Sequence, residues 1–253
     1  MSEFKKVTSF LQSVTYEEKR CRCLNEAEGL NPFITISREA GAGGNSLAQA
    51  ILDEIKKQQK AEPLFEGWQV FNQELYKKIA EEPGLNVSLR SLMESERHSI
   101  IEDMMRELIN HETPQDVVSK KIFQLILTLA VAGKAIIVGR GAACLTRNLP
   151  FGIHIRLVAS LGTRVKRMTQ LLNLNRTEKK VKELIQEQDK AREKLVRIIF
   201  DKDIKDPLLY DVTWNTDAVP MDEIARSVVS LIKSRACYCA AGTAKILNFK
   251  SRE

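Results

Sequence analysis

The sequence predicts an α/β protein with a five-stranded parallel sheet covered by helices on both faces. Short β-branched or apolar runs alternate along the chain with segments of helical periodicity, which is the order of parallel strands joined by crossover helices. The first run leads directly into a glycine-rich turn and then into an amphipathic segment, over residues 33–48. We therefore expect three layers, with ligands at the edge of the sheet where the strands end.

Five runs are assigned to strands because each is short, apolar or β-branched, and bounded by turn residues. They cover residues 33–37, 68–71, 134–139, 153–159 and 211–214. The third run, KAIIVG, has three consecutive apolar residues and suits a strand buried on both faces.

The helices follow from apolar spacing and start signals. Leu47, Ala48, Ile51, Leu52 and Ile55 recur at helical spacing after the glycine-rich turn. Either of the two polar residues at 45 and 46 is the expected N-cap of that helix. Further helical segments are predicted over 72–132 with breaks, 142–145, 160–172 and from 220 onward. The apolar run at 122–133 is too short to span a membrane and predicts a buried helix.

Composition is that of an ordinary globular protein, with 253 residues, 43% hydrophobic and 28% charged. The net charge of +6 suits polyanionic ligands and does not demand nucleic acid. The first twenty residues carry charges throughout and lack the apolar core of a secretory signal, which predicts a cytoplasmic protein. We expect an N-terminal extension over 1–30, one domain over 31–235 and a C-terminal tail over 236–253.

Cysteine and histidine spacing gives weak signals for a metal. Two C-x-C pairs, at 21 and 23 and at 237 and 239, lie near opposite ends of the chain. Together they could bind zinc, but their spacing is tighter than usual, and free thiols are the favoured interpretation. The three histidines, at 98, 111 and 154, show no metal-ligand spacing.

The glycine-rich stretch predicts a phosphate site. Gly41, Gly43 and Gly44 allow backbone N–H groups to approach phosphate oxygens without obstruction by Cβ atoms. The helix N-terminus that follows attracts anions. The alternative, an ordinary glycine turn before a helix, remains open on this stretch alone.

Polar residues directly follow the strands and should meet at one edge of the sheet. They are Arg38, Asn72, Arg140, Asn215 and Thr216. The region between 164 and 202 adds twelve basic and six acidic residues, a local excess of six positive charges. A basic lid could close over phosphates and exclude water. A solvated charged helix with internal ion pairs is the other interpretation.

Several short motifs together resemble the nucleoside monophosphate kinases of the P-loop class, most closely the cytidylate kinase-like family. They are ITISREAGAGGNSLA (34–48), FNQEL (71–75), IIVGRGA (136–142), RLVASLGTRVKRM (156–168), QDKAR (188–192) and DPLLYDVTWNT (206–216). The resemblance implies a P-loop NTPase-like three-layer α/β/α fold, with a helical acceptor-binding insertion at about 73–132 and the lid at about 164–205. It also implies transfer of the γ-phosphoryl group of ATP to a pyrimidine nucleoside monophosphate, CMP or dCMP, with Mg²⁺.

The resemblance also implies roles for residues. The catalytic candidates are Arg38, Arg140, Arg164 and Arg192. The candidates for binding ATP are Gly41, Ala42, Gly43, Gly44, Asn45, Ser46, Asn215 and Thr216, with the Ser46 hydroxyl placed to reach Mg²⁺. The candidates for binding the acceptor are Asn72, Glu74, Arg140, Asp189 and Arg192.

Three positions depart from the family's pattern. Arg38 stands where the first glycine of a P-loop would be, Gly44 replaces its lysine, and Gly141 replaces the acidic residue of ordinary cytidylate kinases. The absent lysine and Gly141 favour an alternative, a nucleotide-binding regulatory or partner-binding protein that keeps the kinase fold with little or no transfer activity. Small-molecule nucleotides are the expected partners, with no membrane and, since aromatics are scarce beside the basic region, no nucleic acid; the sequence leaves the oligomeric state open.

Overall fold

The fold is described from a computed structural model, over residues 6–13, 31–59, 62–72, 105, 114–172 and 177–241. Five strands form one parallel sheet in the spatial order β2-β3-β1-β4-β5. The strands are β1 (Phe33–Arg38), β2 (Gln69–Phe71), β3 (Ala135–Val138), β4 (Gly152–Val158) and β5 (Val212–Asn215). The predicted five-stranded parallel sheet is confirmed, and each strand boundary lies within one residue of its predicted place.

Seven helical segments are described over more than one residue, and Met105 is also helical. They are α1 (residues 6–13), α2 (Gly44–Gln58), α3 (Pro114–Ala132), α4 (Ala142–Leu145), α5 (Leu161–Leu172), α6 (Glu178–Phe200) and α7 (Met221–Ala241). Two short 3₁₀ turns cover Pro63–Phe65 and Pro207–Leu209. The predicted lid at 164–205 contains most of α5 and all of the 23-residue helix α6. Helix α7 continues to Ala241, past the position where the sequence places the start of a tail.

The core is divided between the two faces of the sheet, because side chains of a strand alternate between faces. Ile34 and Ile36 of β1 face α2 and α7, in a cluster that includes Leu47, Ile51 and many further apolar residues. Phe33, with apolar residues of β2, β3, α1 and α3, forms the cluster on the other face. This confirms the three-layer arrangement, with the sheet in the middle.

Helix α1, which lies within the predicted N-terminal extension, contributes to the core. Val7, Phe10 and Leu11 are buried, and they recur at the i, i+3, i+4 spacing of one helix face. The ring of Phe10 packs edge-on against that of Phe71, with 5.2 Å between centroids. Since Phe71 is the last residue of β2, this helix supports the strand that Asn72 directly follows.

The apolar run within α3 is buried, as predicted: Leu125, Ile126, Leu127 and Leu129 are inaccessible to solvent. No helix in the described ranges has both the length and the apolar character that crossing a bilayer requires.

His154 in β4 is buried opposite Thr35, and its Nδ1 lies 2.8 Å from the hydroxyl of that threonine. Burial lowers the pKa of His154 to about 4, although the nearby Asp211 carboxylate opposes this shift. The folded protein therefore holds the neutral imidazole, whereas the unfolded chain binds a proton near pH 6.5. The stability from this group is complete above pH 6.5 and is lost as pH falls toward 4.

Accordingly, we expect the free energy of unfolding to fall by about 2 kcal/mol between pH 7.5 and pH 5 through His154 alone. Urea denaturation of the wild type and of His154→Gln at both pH values isolates this contribution, because the carboxylates titrate alike in the two proteins. An equal pH dependence in both proteins would contradict the prediction.

Candidate functional site

The glycine-rich loop after β1 forms a tight turn that presents the N-terminus of α2. Gly41 and Gly43 adopt left-handed backbone angles, with φ of 79° and 90°. Gly43 is the N-cap of α2 and supplies no side-chain cap, so the predicted capping by Asn45 or Ser46 is wrong. The N–H groups of the first turn have no helical carbonyl to bond. An uncapped helix N-terminus of this kind is suited to bind a phosphate group.

The side chain of Arg38 lies across the start of α2. A Cβ atom on Gly44 would lie 2.8 Å from Cγ of Arg38, and a Cβ atom on Gly139 would collide with its guanidinium. The stem of Arg38 therefore occupies the space beside the backbone where a P-loop lysine would begin. The guanidinium ends at the turn after β3, which lies next to β1 in the sheet.

That turn has three consecutive residues in the left-handed region: Gly139, Arg140 and Gly141 have φ of 84°, 57° and 68°. The conformation is unfavourable for a non-glycine residue and is typical of functional sites. A Cβ atom on Gly141 would lie 2.5 Å from Cε2 of Phe200. Any side chain at position 141 would therefore have to displace the ring of Phe200 and adopt a positive φ.

A cavity of about 360 Å³ opens beside this turn, and Arg38, Arg140 and Arg192 all line it. Three of the four arginines predicted to be catalytic are therefore brought together by β1, β3 and α6. Much of the remaining wall is apolar and is formed by Ile36, Ala142, Ala143, Leu195, Val196 and Ile204. The cavity combines a cationic side with an apolar side, which suits an anionic ligand that has a neutral body.

Asp189 connects the loop to two arginines. One carboxylate oxygen accepts a hydrogen bond of 2.7 Å from the backbone N–H of Ala40. The same carboxylate forms ion pairs with Arg164 and, at 3.1 Å, with Arg192. Arg164 also lies 3.6 Å from Glu39. Asp189 and Arg164 thus hold the loop against α5 and α6, and only Arg192 of the two arginines lines the cavity.

Arg192 is held by two acceptors from its own helix. Its guanidinium pairs with Asp189 and donates a hydrogen bond of 3.4 Å to the side-chain oxygen of Gln188. Burial lowers the pKa of Arg192, and the carboxylate of Asp189 opposes that shift. The arginine nevertheless stays charged in any ordinary buffer, because guanidinium groups lose their proton only at very high pH.

On the other side of the loop, the residues after β5 form a second contact. Thr216 is buried, and its hydroxyl donates a hydrogen bond of 3.2 Å to the carbonyl of Ala42. Arg167 donates to the hydroxyl and the carbonyl of Thr216 at 2.8 and 2.7 Å. Asn215 is exposed, and its side-chain oxygen accepts from the backbone N–H of Asp217. Thr216 therefore supports the loop, while Asn215 is accessible beside it.

Asn72 follows β2 at the same carboxyl edge of the sheet. Glu74 lies outside the described residues, as do residues 106–113 and most of the predicted insertion before them. Of the residues predicted to bind the acceptor, the structure therefore describes Asn72, Arg140, Asp189 and Arg192.

A chain of hydrogen bonds behind the cavity involves residues that were not predicted to be part of the site. Arg156 donates to the Ser37 hydroxyl at 3.2 Å. The Ser37 hydroxyl lies 3.2 Å from that of Tyr210, which donates to the carbonyl of Ile204 at 2.9 Å. Ser37, Tyr210 and Ile204 all line the cavity. Only the position of Ser37 near the end of β1 offered a signal for this arrangement.

The residues present fit a nucleotide phosphate and a magnesium ion. The uncapped first turn of α2 offers backbone N–H groups to a phosphate, and Ser46 in that turn is exposed. The described residues contain no cluster of three or more carboxylate, histidine or cysteine side chains that could hold a metal. Mg²⁺ needs no such cluster, because phosphate oxygens and water complete its coordination.

Cys144 is the one cysteine whose side chain the structure describes. It lines the cavity, and burial raises the pKa of its thiol to about 11. It therefore remains a protonated thiol near neutral pH. The side chains of the two C-x-C pairs, for which zinc binding is the alternative interpretation, lie outside the described residues.

Fold and site together define an α/β protein with a five-stranded parallel sheet and a glycine-rich strand–loop–helix turn beside an arginine-lined cavity. The sequence model of the cytidylate kinase-like family matches residues 33–218. The chain belongs to this family, whose members are related to nucleotide-dependent phosphotransferases. No curated protein matches the chain.

Solved structures extend the comparison of the fold. An uncharacterized protein from Eubacterium ventriosum is 19% identical with a TM-score of 0.59, covering 81% of this chain and 99% of its own. Shikimate kinase from Bacteroides thetaiotaomicron is 12% identical with a TM-score of 0.41, covering 80% and 98%. A gluconokinase from Sinorhizobium meliloti is 16% identical with a TM-score of 0.36, covering 88% and 99%. At 19% identity, the likeness to the Eubacterium ventriosum protein shows a shared fold alone.

Proposed function

We propose that this protein transfers the γ-phosphoryl group of ATP to a pyrimidine nucleoside monophosphate, CMP or dCMP. The single observation that carries the proposal is the convergence of Arg38, Arg140 and Arg192 on one cavity beside the uncapped N-terminus of α2. Phosphoryl transfer depends mainly on positioning and on stabilising charge on the transferred group. A phosphate cradle with several nearby cations is the arrangement that this reaction needs.

In this proposal the loop and the cavity hold the two substrates. The first turn of α2 binds the phosphates of ATP, and Arg140 and Arg192 bind the acceptor phosphate. Arg38, which extends from the loop to the turn after β3, provides the cation between them. Asp189 keeps the loop and α6 at a fixed separation through Ala40 and Arg164. Mg²⁺ bound near Ser46 would neutralise charge on the phosphates.

A second candidate function rests on the missing lysine. Gly44 provides no cation, and the guanidinium of Arg38 ends at Gly139. A protein of this kind could bind ATP and an acceptor nucleotide without efficient transfer, and act as a nucleotide-dependent regulator of a partner.

A coupled assay of ADP formation separates the two functions. ATP and Mg²⁺ are offered with CMP, dCMP, UMP or AMP, and binding of ATP is measured in parallel by isothermal titration. We expect ADP formation that depends on CMP or dCMP and stops when EDTA removes Mg²⁺. ATP binding without turnover of any acceptor would favour the regulatory function. Turnover of AMP alone would overturn the pyrimidine assignment while leaving a kinase.

A further inference from the structure

Arg156 in β4 is a buried cation without a carboxylate partner in the described part of the chain. Only 5% of the surface of Arg156 is exposed to solvent. Its contacts are the hydrogen bond to the Ser37 hydroxyl and the ring of Tyr210, whose centroid lies 5.5 Å from the guanidinium carbon. A guanidinium has five N–H donors and is always charged. Both contacts are to neutral groups, so neither supplies a counter-charge.

Such an arrangement lowers the stability of the free protein. Removing a charge from water is unfavourable when no counterion is present. A cation–π contact and a hydrogen bond to a neutral hydroxyl offset only part of that cost. An uncompensated charge of this kind indicates a functional site, where a bound ligand can supply the missing counter-charge.

The position of Arg156 identifies the place where that counter-charge would bind. Ser37 and Tyr210, its two contacts, both line the cavity. Arg164 and Arg192 share Asp189 as their counterion, whereas Arg156 has no comparable partner. Its charge therefore adds positive potential to the cavity, within a wall of low dielectric constant where the field is weakly screened.

We propose that Arg156 is a positioning and selectivity residue that makes the cavity prefer a phosphorylated acceptor to the corresponding neutral nucleoside. It acts through its field and through Ser37 and Tyr210, whose hydroxyls it orients. The inference rests on the proposed function for the identity of the acceptor, but the preference for an anion rests on the buried charge alone.

The test compares charged and neutral ligands in isothermal titrations of CMP and cytidine. Arg156→Met keeps most of the side-chain volume and removes the charge, Arg156→Lys keeps the charge, and Arg226→Met removes an exposed arginine on α7 as the matched control. For Arg156→Met we expect CMP affinity to fall about tenfold or more, with cytidine affinity changed less than about twofold. Arg156→Lys should recover most of the CMP affinity, and Arg226→Met should leave both affinities unchanged.

Melting temperature provides the readout that a merely structural arginine would not give. Because Arg156→Met removes a buried uncompensated charge, its melting temperature should equal or exceed that of the wild type. A lower melting temperature together with equal losses for CMP and cytidine would overturn the inference.

Titration with inorganic phosphate separates this inference from the proposed function. A wild type that transfers phosphate to no acceptor but binds inorganic phosphate, with binding weakened about tenfold in Arg156→Met, would refute the kinase and support the anion site. If the wild type does not bind phosphate, or if Arg156→Met binds it equally well, the inference about Arg156 fails whatever the outcome of the kinase assay.

Discussion

Replacing Arg38 by alanine should lower kcat for phosphoryl transfer by about a hundredfold or more. The loop at residues 38–44 has no lysine, and Arg38 is its one basic residue. In the proposed function, Arg38 therefore stabilises charge on the transferred group. Loss of one donor that acts on charge developing in a transition state costs about 10²–10³ in rate. Single-turnover measurements with saturating ATP and acceptor report the effect directly, because they exclude product release.

Two further variants make the result for Arg38 interpretable. Arg226→Ala removes an exposed arginine whose carboxylate partner is Asp222, and its kcat should match the wild type. The double variant Arg38→Ala with Gly44→Lys gives the loop a lysine in the space that the arginine stem vacates, and it should regain part of the lost rate. A wild-type rate in Arg38→Ala would show that another group provides the charge.

Replacing Asp189 by asparagine should destabilise the protein and reduce its activity together. Asparagine keeps the shape of the side chain but leaves Arg164 and Arg192, whose side chains are 12% and 25% exposed, without their shared counterion. Breaking a fully buried pair costs about 3–5 kcal/mol. Since the Asp189 side chain is 21% exposed, we expect a loss of about 2–3 kcal/mol in the free energy of unfolding, reduced by solvent screening.

Urea denaturation measures this loss, and a surface pair gives the control. Asp222 pairs with Arg226 on an exposed face of α7, at 2.9 Å with both side chains more than half exposed. Asp222→Asn should therefore leave the free energy of unfolding close to that of the wild type, because an exposed ion pair contributes little. An equally small effect of Asp189→Asn would mean that Asp189 does not hold the loop.

The sequence was sufficient to predict the sheet and the edge at which the site forms. β-Branched runs with turn residues on either side locate the strands, since burial between two layers of helices demands such runs. Once the strands are parallel, Arg38, Asn72 and Arg140 must share the carboxyl edge. This part of the prediction depends on local pattern and on topology, both of which can be read from one chain.

The arrangement within the site depends on contacts between distant residues, which pattern does not reveal. Asp189 binds the backbone of Ala40 from 149 positions away, and no periodicity indicates that pairing. The same holds for Phe200 against Gly141. The contribution of α1 to the core, by contrast, had a local signal in the spacing of Val7, Phe10 and Leu11, which the charged surroundings obscured.

The path of Arg38 over Gly44 and beside Gly139 also constrains how this loop can evolve. A lineage that acquires a lysine at position 44 while Arg38 is present meets a steric collision, and one that loses Arg38 first passes through a form with no cation in the loop. Under the proposed function, the first step would cost packing around Gly44 and the second would cost a catalytic cation. We therefore expect positions 38, 44 and 139 to be inherited together as one unit among relatives of this chain.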